Sequence, residues 1–241
     1  MLRDGLSPLI AETIICDVGR DTSALLAVVR ERDAVHPVRS DAELARRLAA
    51  DRLICALVHP VRPEAPLAFV EIAFVRAPLV RVEDIIEPAS PVLDVGQATL
   101  GVFYGISNTE PGAAGLAVGA LLIEGVLARL PARFPHIRTW VTMSPIPTLR
   151  RWLAAHPERV GGRELAALRS RPELARLARA YLTEEIDPGG RPLDPVARFH
   201  LGNGAVLADV MLEANGSERA DAESLGAMAS YAYVRDGVRV A

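Results

Sequence analysis

The sequence predicts one α/β domain over residues 1–241, with a helical insertion near residues 148–186. Apolar runs of strand length alternate with helical patterns along the chain, and the insertion contains helical patterns alone. Hydrophobic residues make up 50% of the chain and charged residues 24%, a balance typical of a globular domain and not of a disordered one.

The first part of the chain predicts two helices and a β-hairpin. The two helical patterns are TSALLAVVRERDA and SDAELARRLAADR, and the second opens with Ser40 and Glu43 at capping-box spacing. Two apolar runs of strand length follow, RLICALVHP and PLAFVEIAFV. A Pro-rich turn separates them, so we expect them to pair as a hairpin.

Residues 98–143 predict a strand, a Gly-rich turn, a helix and a second strand, which together form a βαβ unit. Gly112, Gly115 and Gly119 lie where the first strand meets the helix. Backbone N–H groups at such a junction suit a phosphate. Small residues also allow close helix packing, and the GxxGxxxG spacing matches neither the Rossmann nor the Walker motif. Both interpretations remain open from spacing alone.

The C-terminal part predicts helices in TLRRWLAAHP and GRELAALRSRPELARLARAYLTEE and a final strand in GAMASYAYVRDGVRV. Ser144 directly follows the strand pattern HIRTWVTM, and the end of a parallel strand is a favoured site position. His200 lies in an apolar setting before the turn residues GNG. A turn-capping serine and a core histidine are the ordinary interpretations, and catalytic residues are the alternative.

Composition excludes several classes of function. The net charge of −3 argues against a general nucleic-acid binder. All 27 basic residues are Arg, which excludes a lysine Schiff base, a pyridoxal-phosphate anchor and the phosphate-loop lysine. The two cysteines, Cys16 and Cys55, do not form a CxxC motif, and the histidines do not form an HExxH motif. We therefore expect neither a disulfide framework nor a metal site.

The sequence also predicts a cytoplasmic protein that does not associate with membranes. The longest uncharged helical stretch is GAAGLAVGALLI, which is well short of the roughly 20 residues that span a bilayer. The N-terminal residues contain no clear apolar core of a signal peptide.

Several segments, taken in order, resemble the catalytic domain of the malonyl-CoA decarboxylase family. They are DAVHPVR (33–39), EAPLAFVEIAF (64–74), FYGISNTEPGAAGLAVG (103–119), RFPHIRTWVTMSPIP (133–147), LDPVARFHLGNGAVL (193–207) and SYAYV (230–234). The SPIP and FHLGNGAVL segments are the most specific of these. The resemblance covers roughly residues 20–235.

The resemblance implies a fold like that of the acyl-CoA N-acyltransferases (GNAT), in which a mixed sheet flanked by helices splays open to hold the CoA pantetheine. It implies decarboxylation of malonyl-CoA to acetyl-CoA and CO2, within fatty acid metabolism, with the CoA thioester as substrate and with neither a metal nor an organic cofactor. The family's catalytic residues fall on Ser144, His200 and Tyr233. Its CoA loop falls on Ala114, Gly115, Leu116, Ala117, Val118, Gly119 and Ala120.

The implied reaction passes through a thioester enolate, which must be stabilised and then protonated on carbon. His200 suits the proton donor because the unperturbed pKa of histidine is near neutrality. Ser144 and Asn203 are candidates for hydrogen-bonding the departing carboxylate or the enolate, and Tyr233 for orienting His200.

The sequence departs from the family pattern in two ways. Only about 20 residues precede the match, where the family carries a helical domain that assembles oligomers, so homo-oligomerisation stays open. Ala117 stands where the loop often carries an acid. The alternatives are a decarboxylase of methylmalonyl-CoA or of malonyl on an acyl carrier protein, an acyltransferase with Glu71 as base, and a non-catalytic CoA-binding domain.

Overall fold

The computed structural model describes residues 12–16, 23–59, 62–78, 81–109 and 118–233. The chain divides into two compact units. The first comprises Met1–Ala77 and Ile86–Arg138, and the second comprises Pro78–Ile85 and Thr139–Ala241. The expectation of one domain over residues 1–241 stays a prediction.

Helices and strands are interspersed along the described residues. In chain order they are β1 (Glu12–Cys16), α1 (Ser23–Arg32), α2 (Asp41–Arg47), β2 (Arg52–His59), β3 (Arg62–Val75), α3 (Glu83–Ile86), β4 (Leu100–Asn108), α4 (Val118–Arg133), β5 (Thr139–Thr142), β6 (Ser144–Pro145), α5 (Leu149–Ala155), α6 (Pro172–Glu184), α7 (Pro195–Gly202), β7 (Ala205–Met211), α8 (Glu218–Ser224) and β8 (Met228–Tyr233).

Four antiparallel strands of the first unit pair in the order β1-β2-β3-β4. The predicted hairpin is confirmed as β2 and β3. Strand β2 is buried along almost its whole length, which explains its unbroken apolar sequence. The apolar side of α1 covers this sheet, with Leu25 and Val29 in one cluster with Ile54 and Phe69.

The capping box is also confirmed. Ser40 is the N-cap of α2, and its hydroxyl accepts a hydrogen bond from the Glu43 N–H at 3.2 Å. Strand β1 pairs residue by residue with β2, although the sequence analysis did not predict it. Its five residues, ETIIC, are too short to give a clear strand pattern.

A β-bulge interrupts the pairing of β3 with β4. Glu71 pairs with Gly105, whereas the next residue, Ile72, pairs with Phe103, so Tyr104 is the extra residue. A Cβ atom on Gly105 would lie 2.5 Å from Glu71 Oε2. A larger residue at position 105 would therefore have to displace the Glu71 carboxyl group, which Arg47 holds in place.

In the second unit, strand β8 pairs antiparallel with β5, β6 and β7. All six residues of β8 are buried. The predicted insertion is helical, with α5, α6 and the 3-10 turns Pro157–Val160 and Leu165–Leu168. The helix predicted from residue 162 was placed too early, because Gly161 and Gly162 have positive φ and α6 begins only at Pro172.

Within these described ranges, no helix is both long and apolar enough to cross a membrane.

Candidate active site

Three elements of the second unit position the predicted catalytic residues. Ser144 begins β6, His200 lies in the last turn of α7 and Tyr233 ends β8. Asp194 caps the start of α7, since its Oδ1 accepts the N–H groups of Val196 and Ala197 at 2.9 and 3.0 Å. The Asp-Pro sequence suits this role, because proline at the first helical position has no N–H to satisfy.

The three side chains are joined by hydrogen bonds. The Tyr233 hydroxyl lies 2.9 Å from His200 Nδ1, and Ser144 Oγ lies 3.1 Å from His200 Nε2. The Ser144 hydroxyl in turn donates to Thr142 Oγ1 at 2.8 Å. We refer to Tyr233, His200, Ser144 and Thr142 as the imidazole chain. The structure thus brings Ser144, His200 and Tyr233 together.

His200 is buried, with only 3% of its surface exposed. Burial lowers the pKa of its imidazole to about 3 because a charged ring loses its hydration. The sequence-based argument that His200 titrates near neutrality therefore does not hold in this structure. At neutral pH the ring is uncharged, with a proton on one nitrogen and a lone pair on the other.

Tyr231 and Tyr233 flank the imidazole from the same strand, two residues apart. The Tyr231 ring stacks on His200 with centroids 4.6 Å apart and an interplanar angle of 22°. Burial raises the pKa of both phenols, so both hydroxyls keep their protons. The Tyr231 hydroxyl is buried without a hydrogen-bond partner among the described residues. Tyr231 was not predicted as a site residue, although SYAYV alternates as a strand with two tyrosines on one face.

A further set of buried polar groups supports α7. Thr148 donates to Asp194 Oδ2 at 2.9 Å and also hydrogen-bonds the Tyr181 hydroxyl. Asp194 is fully buried, and burial raises its pKa in spite of these bonds. Thr148 lies four residues after Ser144, so this set ties the loop after Ser144 to the start of the helix that carries His200.

Asn203 lies in the turn after α7. Its Nδ2 donates to the Phe199 carbonyl at 2.7 Å, and its backbone N–H caps the same helix end. One amide hydrogen is thus used within the helix cap, and a contact between Asn203 and substrate stays a prediction.

Part of the predicted CoA loop is described, in the first unit. Val118, Gly119 and Ala120 form the first turn of α4, where Val118 and Gly119 are buried. Gly112 and the loop positions from Ala114 to Ala117 lie outside the described residues, so their role stays a prediction.

Glu71, the candidate base of an acyltransferase, belongs to a different buried set in the first unit. We refer to Asp33, Arg47 and Glu71 as the carboxylate cluster. Arg47 Nη1 lies 2.6 Å from Asp33 Oδ2 and 2.8 Å from Glu71 Oε1, and the three side chains are almost completely buried. A base for an incoming amine must reach that amine, whereas the Glu71 carboxyl group is enclosed by Arg47, Gly105 and Tyr104.

One guanidinium faces two carboxyl groups in this cluster, and the two carboxyls respond differently. Burial, followed by repulsion from Asp33, raises the pKa of Glu71 to about 8. Burial alone would raise the pKa of Asp33 as well, but Arg47 and two backbone N–H groups hold it below its usual value. Asp33 and Arg47 therefore form the ion pair, and Glu71 binds mainly as a neutral acid at pH 7.

The part of the chain that the structure describes holds no group of three or more His, Cys, Asp or Glu side chains arranged to bind a metal ion.

Comparison with protein families gives one match that spans most of the chain. The family described as malonyl-CoA decarboxylase C-terminal domain matches residues 18–169 and 162–240. The mitochondrial malonyl-CoA decarboxylase of Rattus norvegicus is 28% identical over 250 aligned positions, covering 87% of this chain and 51% of the rat protein. The chain thus spans about half the length of the curated relatives it matches.

Solved structures agree with this match. The malonyl-CoA decarboxylase of Agrobacterium vitis is 32% identical with a TM-score of 0.82, covering 94% of this chain and 61% of that one. The GNAT-like decarboxylase GphF, solved with isobutyryl-CoA, is 22% identical with a TM-score of 0.60, covering 93% of this chain and 99% of that one. The GNAT-like mixed α/β fold implied by the resemblance is confirmed.

Proposed function

The chain belongs to the malonyl-CoA decarboxylase C-terminal domain family, and on this premise we propose that it decarboxylates malonyl-CoA to acetyl-CoA and CO2. The observation that carries the proposal is the hydrogen-bonded series from Tyr233 through His200 to Ser144. These side chains are the ones that the family resemblance implies. They meet although Ser144 and His200 are 56 residues apart in sequence.

The proposed reaction breaks the bond between the malonyl Cα and its carboxyl carbon. The electron pair of that bond moves into the thioester to form an enolate, and CO2 departs. A proton then binds Cα to give the acetyl thioester, so each turnover consumes one proton from water. The thioester carbonyl itself accepts the electron pair, and we propose that no resident cofactor takes part.

We assign delivery of that proton to the His200 imidazole. Because its pKa is about 3, the His200 ring is neutral in the free protein, and its N–H is the group that would donate the proton to the enolate. The negative charge of the malonyl carboxylate and of the enolate would raise the pKa of a nearby imidazole. The proton affinity of His200 would then rise as substrate binds, and water would restore the ring proton after each turnover.

Ser144 and Tyr233 have different proposed tasks. The Ser144 hydroxyl donates to Thr142 in the free protein. We propose that it turns to donate to the departing carboxylate or the enolate oxygen when substrate binds. Tyr233 contacts His200 Nδ1 and orients the ring. We propose that residues 114–120 hold the CoA diphosphate through backbone N–H groups.

Related substrates remain within the proposal. Methylmalonyl-CoA and malonyl on an acyl carrier protein undergo the same bond changes, so the imidazole chain serves them equally well. A cytoplasmic location and a homo-oligomer are likewise expectations from sequence. An acyltransferase is less well supported, because Glu71 is fully buried against Arg47. A domain that only binds CoA is also less well supported, because binding alone does not require a buried series of hydrogen-bond donors and acceptors around a histidine.

The test is to incubate the purified chain separately with malonyl-CoA, methylmalonyl-CoA and malonyl-loaded carrier protein, and to quantify the decarboxylated thioester by mass spectrometry. Including a mixture of amine acceptors detects any acyl transfer. We expect acetyl-CoA from malonyl-CoA. Acylated amine instead would support the transferase, and tight malonyl-CoA binding without any product would support the binding-only domain.

A further inference from the structure

Thr142 hydrogen-bonds to residues of two strands, Ser144 of β6 and Tyr231 of β8. It is the last residue of β5, only 1% exposed, and precedes Ser144 by two positions. Its Oγ1 accepts two hydrogen bonds, from the Tyr231 N–H at 3.1 Å and from the Ser144 hydroxyl at 2.8 Å. The sequence around Thr142 does not distinguish it from an ordinary strand threonine.

These two bonds fix the direction of the next one. A backbone N–H can only donate, so Thr142 Oγ1 accepts from Tyr231, and the geometry of the Ser144–Thr142 bond makes Ser144 its donor. Ser144 carries a single hydroxyl hydrogen, and that hydrogen is donated to Thr142. Towards His200, Ser144 Oγ can then only accept, and the 3.1 Å contact requires a proton on His200 Nε2.

The same reasoning extends to the other side of the ring. A neutral imidazole with a proton on Nε2 has a bare Nδ1, which must accept a hydrogen bond. The Tyr233 hydroxyl, 2.9 Å away and protonated, is the donor. Every bond in the imidazole chain thus runs in one direction, from Tyr233 to Thr142.

We infer that Thr142 is a positioning residue that fixes the His200 tautomer, with its proton on the ring nitrogen next to Ser144. The inference rests on the proposed function for its purpose, because protonation of the enolate requires an N–H on the nitrogen that faces the reacting groups. Without the Thr142 hydroxyl, Ser144 is free to donate to Nε2, and the ring proton can move to Nδ1, away from Ser144.

The direct test is the ¹⁵N spectrum of the histidine side chains, in which protonated and bare ring nitrogens of a neutral imidazole resonate far apart. The chain has five histidines, and His200→Gln identifies the resonances of His200. In the wild type we expect a protonated Nε2 and a bare Nδ1. In Thr142→Val, which removes the hydroxyl and keeps the side-chain shape, we expect the two resonances to move towards each other as the Nδ1–H tautomer gains population.

Two further variants separate this role from simple structural support. Thr142→Ser keeps the hydroxyl and is expected to restore the wild-type tautomer. Thr183→Val removes an exposed threonine hydroxyl that bonds a helix carbonyl, and it is the matched control for the substitution itself. A folded Thr142→Val protein with an unchanged tautomer would contradict the inference.

Tyr233→Phe keeps the inference testable if Thr142→Val fails to fold. It removes the donor to Nδ1 and leaves Ser144 and Thr142 in place, so we expect the Nε2–H tautomer to persist. A change to Nδ1–H would show that Tyr233, and not Thr142, sets the tautomer.

Kinetics complete the test. In Thr142→Val we expect kcat for malonyl-CoA to fall about tenfold, the effect of one hydrogen bond, with KM nearly unchanged. The spectrum requires no substrate. A chain that fails to decarboxylate malonyl-CoA therefore overturns the proposed function alone, whereas an unchanged tautomer overturns the role of Thr142 alone.

Discussion

The two buried polar sets of this protein solve different physical problems. The carboxylate cluster in the first unit buries an ion pair beside a neutral acid, and Arg47 holds both carboxyl groups. The imidazole chain in the second unit buries an uncharged series of donors and acceptors around His200. Buried charge must be compensated at its own location, whereas a neutral series can lose one member with less cost to folding.

This difference indicates which set is structural and which is functional. The bonds of the carboxylate cluster join the residue after α1 to α2 and β3, and the Glu71 carboxyl group is fully buried within it. The imidazole chain holds a ring whose proton affinity is strongly suppressed, and approaching negative charge would raise that affinity. We therefore expect substitutions in the first set to reduce stability and substitutions in the second to reduce turnover.

The largest expected effect is that of His200→Ala. Turnover of malonyl-CoA should fall by about 10²–10⁴-fold, the usual contribution of a positioned proton donor. CoA binding should persist, and calorimetric titration with CoA measures it. His136→Ala, at an exposed histidine of the first unit, is the control and should turn over at the wild-type rate. A fully active His200→Ala protein would contradict the role of His200 as proton donor.

The next effect is on folding. Arg47→Leu leaves the buried Asp33 carboxylate without its counter-charge, so the free energy of unfolding should fall by about 3–5 kcal/mol. Urea denaturation measures this change. Arg163→Leu breaks a half-exposed pair with Glu173 and should cost less than about 1 kcal/mol. Equal losses from the two substitutions would contradict a structural role for the carboxylate cluster.

The pH dependence of stability should have opposite signs for the two sets. Between pH 6.5 and 3 the unfolded chain protonates His200 while the folded chain does not, so stability falls as the pH falls. Between pH 4.5 and 8 the folded chain keeps a proton on Glu71 that the unfolded chain has lost, so stability falls as the pH rises. Each group contributes a slope of at most about 1.4 kcal/mol per pH unit.

Urea denaturation over this pH range, with His200→Gln and Glu71→Gln, separates the two contributions. In a plot of the free energy of unfolding against pH, His200→Gln should remove the fall towards acid pH, and Glu71→Gln should remove the fall towards pH 8. An unchanged acid side in His200→Gln would mean that the folded chain protonates His200 as readily as the unfolded chain.

The smallest expected effect is on turnover in Glu71→Gln. Glutamine replaces a carboxyl group that is already mainly neutral, so the decarboxylation rate should remain that of the wild type. Steady-state assay with malonyl-CoA measures it. A severe fall in kcat, without loss of folded protein, would indicate that Glu71 takes part in the reaction.

Patterns of neighbouring residues in the sequence predicted several elements of the fold. The β2–β3 hairpin followed from apolar runs around a proline-rich turn, and the α2 cap from Ser40 and Glu43. Ser144 and His200 were candidates because one follows a strand pattern and the other precedes a GNG turn, and the family resemblance selected them as catalytic. The helix predicted from residue 162 failed because the pattern of Leu and Ala was weighted above two glycines and Pro172.

The remaining features depend on contacts between residues distant in sequence. Arg47 meets Glu71 across 24 positions, and Tyr231 meets Thr142 across 89. Spacing rules apply within one helix or strand and do not reach such pairs. The suppressed pKa of His200 was also unpredictable, because it arises from burial by residues that the chain brings together only on folding.

Delivery of the proton by His200 can be tested by decarboxylation of malonyl-CoA in heavy water, with the acyl-CoA pool analysed by mass spectrometry. We expect the wild-type chain to produce acetyl-CoA carrying a single deuterium. We expect no such product above background from His200→Ala, at protein concentrations where CoA binding is intact. Deuterated acetyl-CoA formed equally by both proteins would contradict the assignment of the proton to His200, and unchanged malonyl-CoA in both would contradict the proposed substrate.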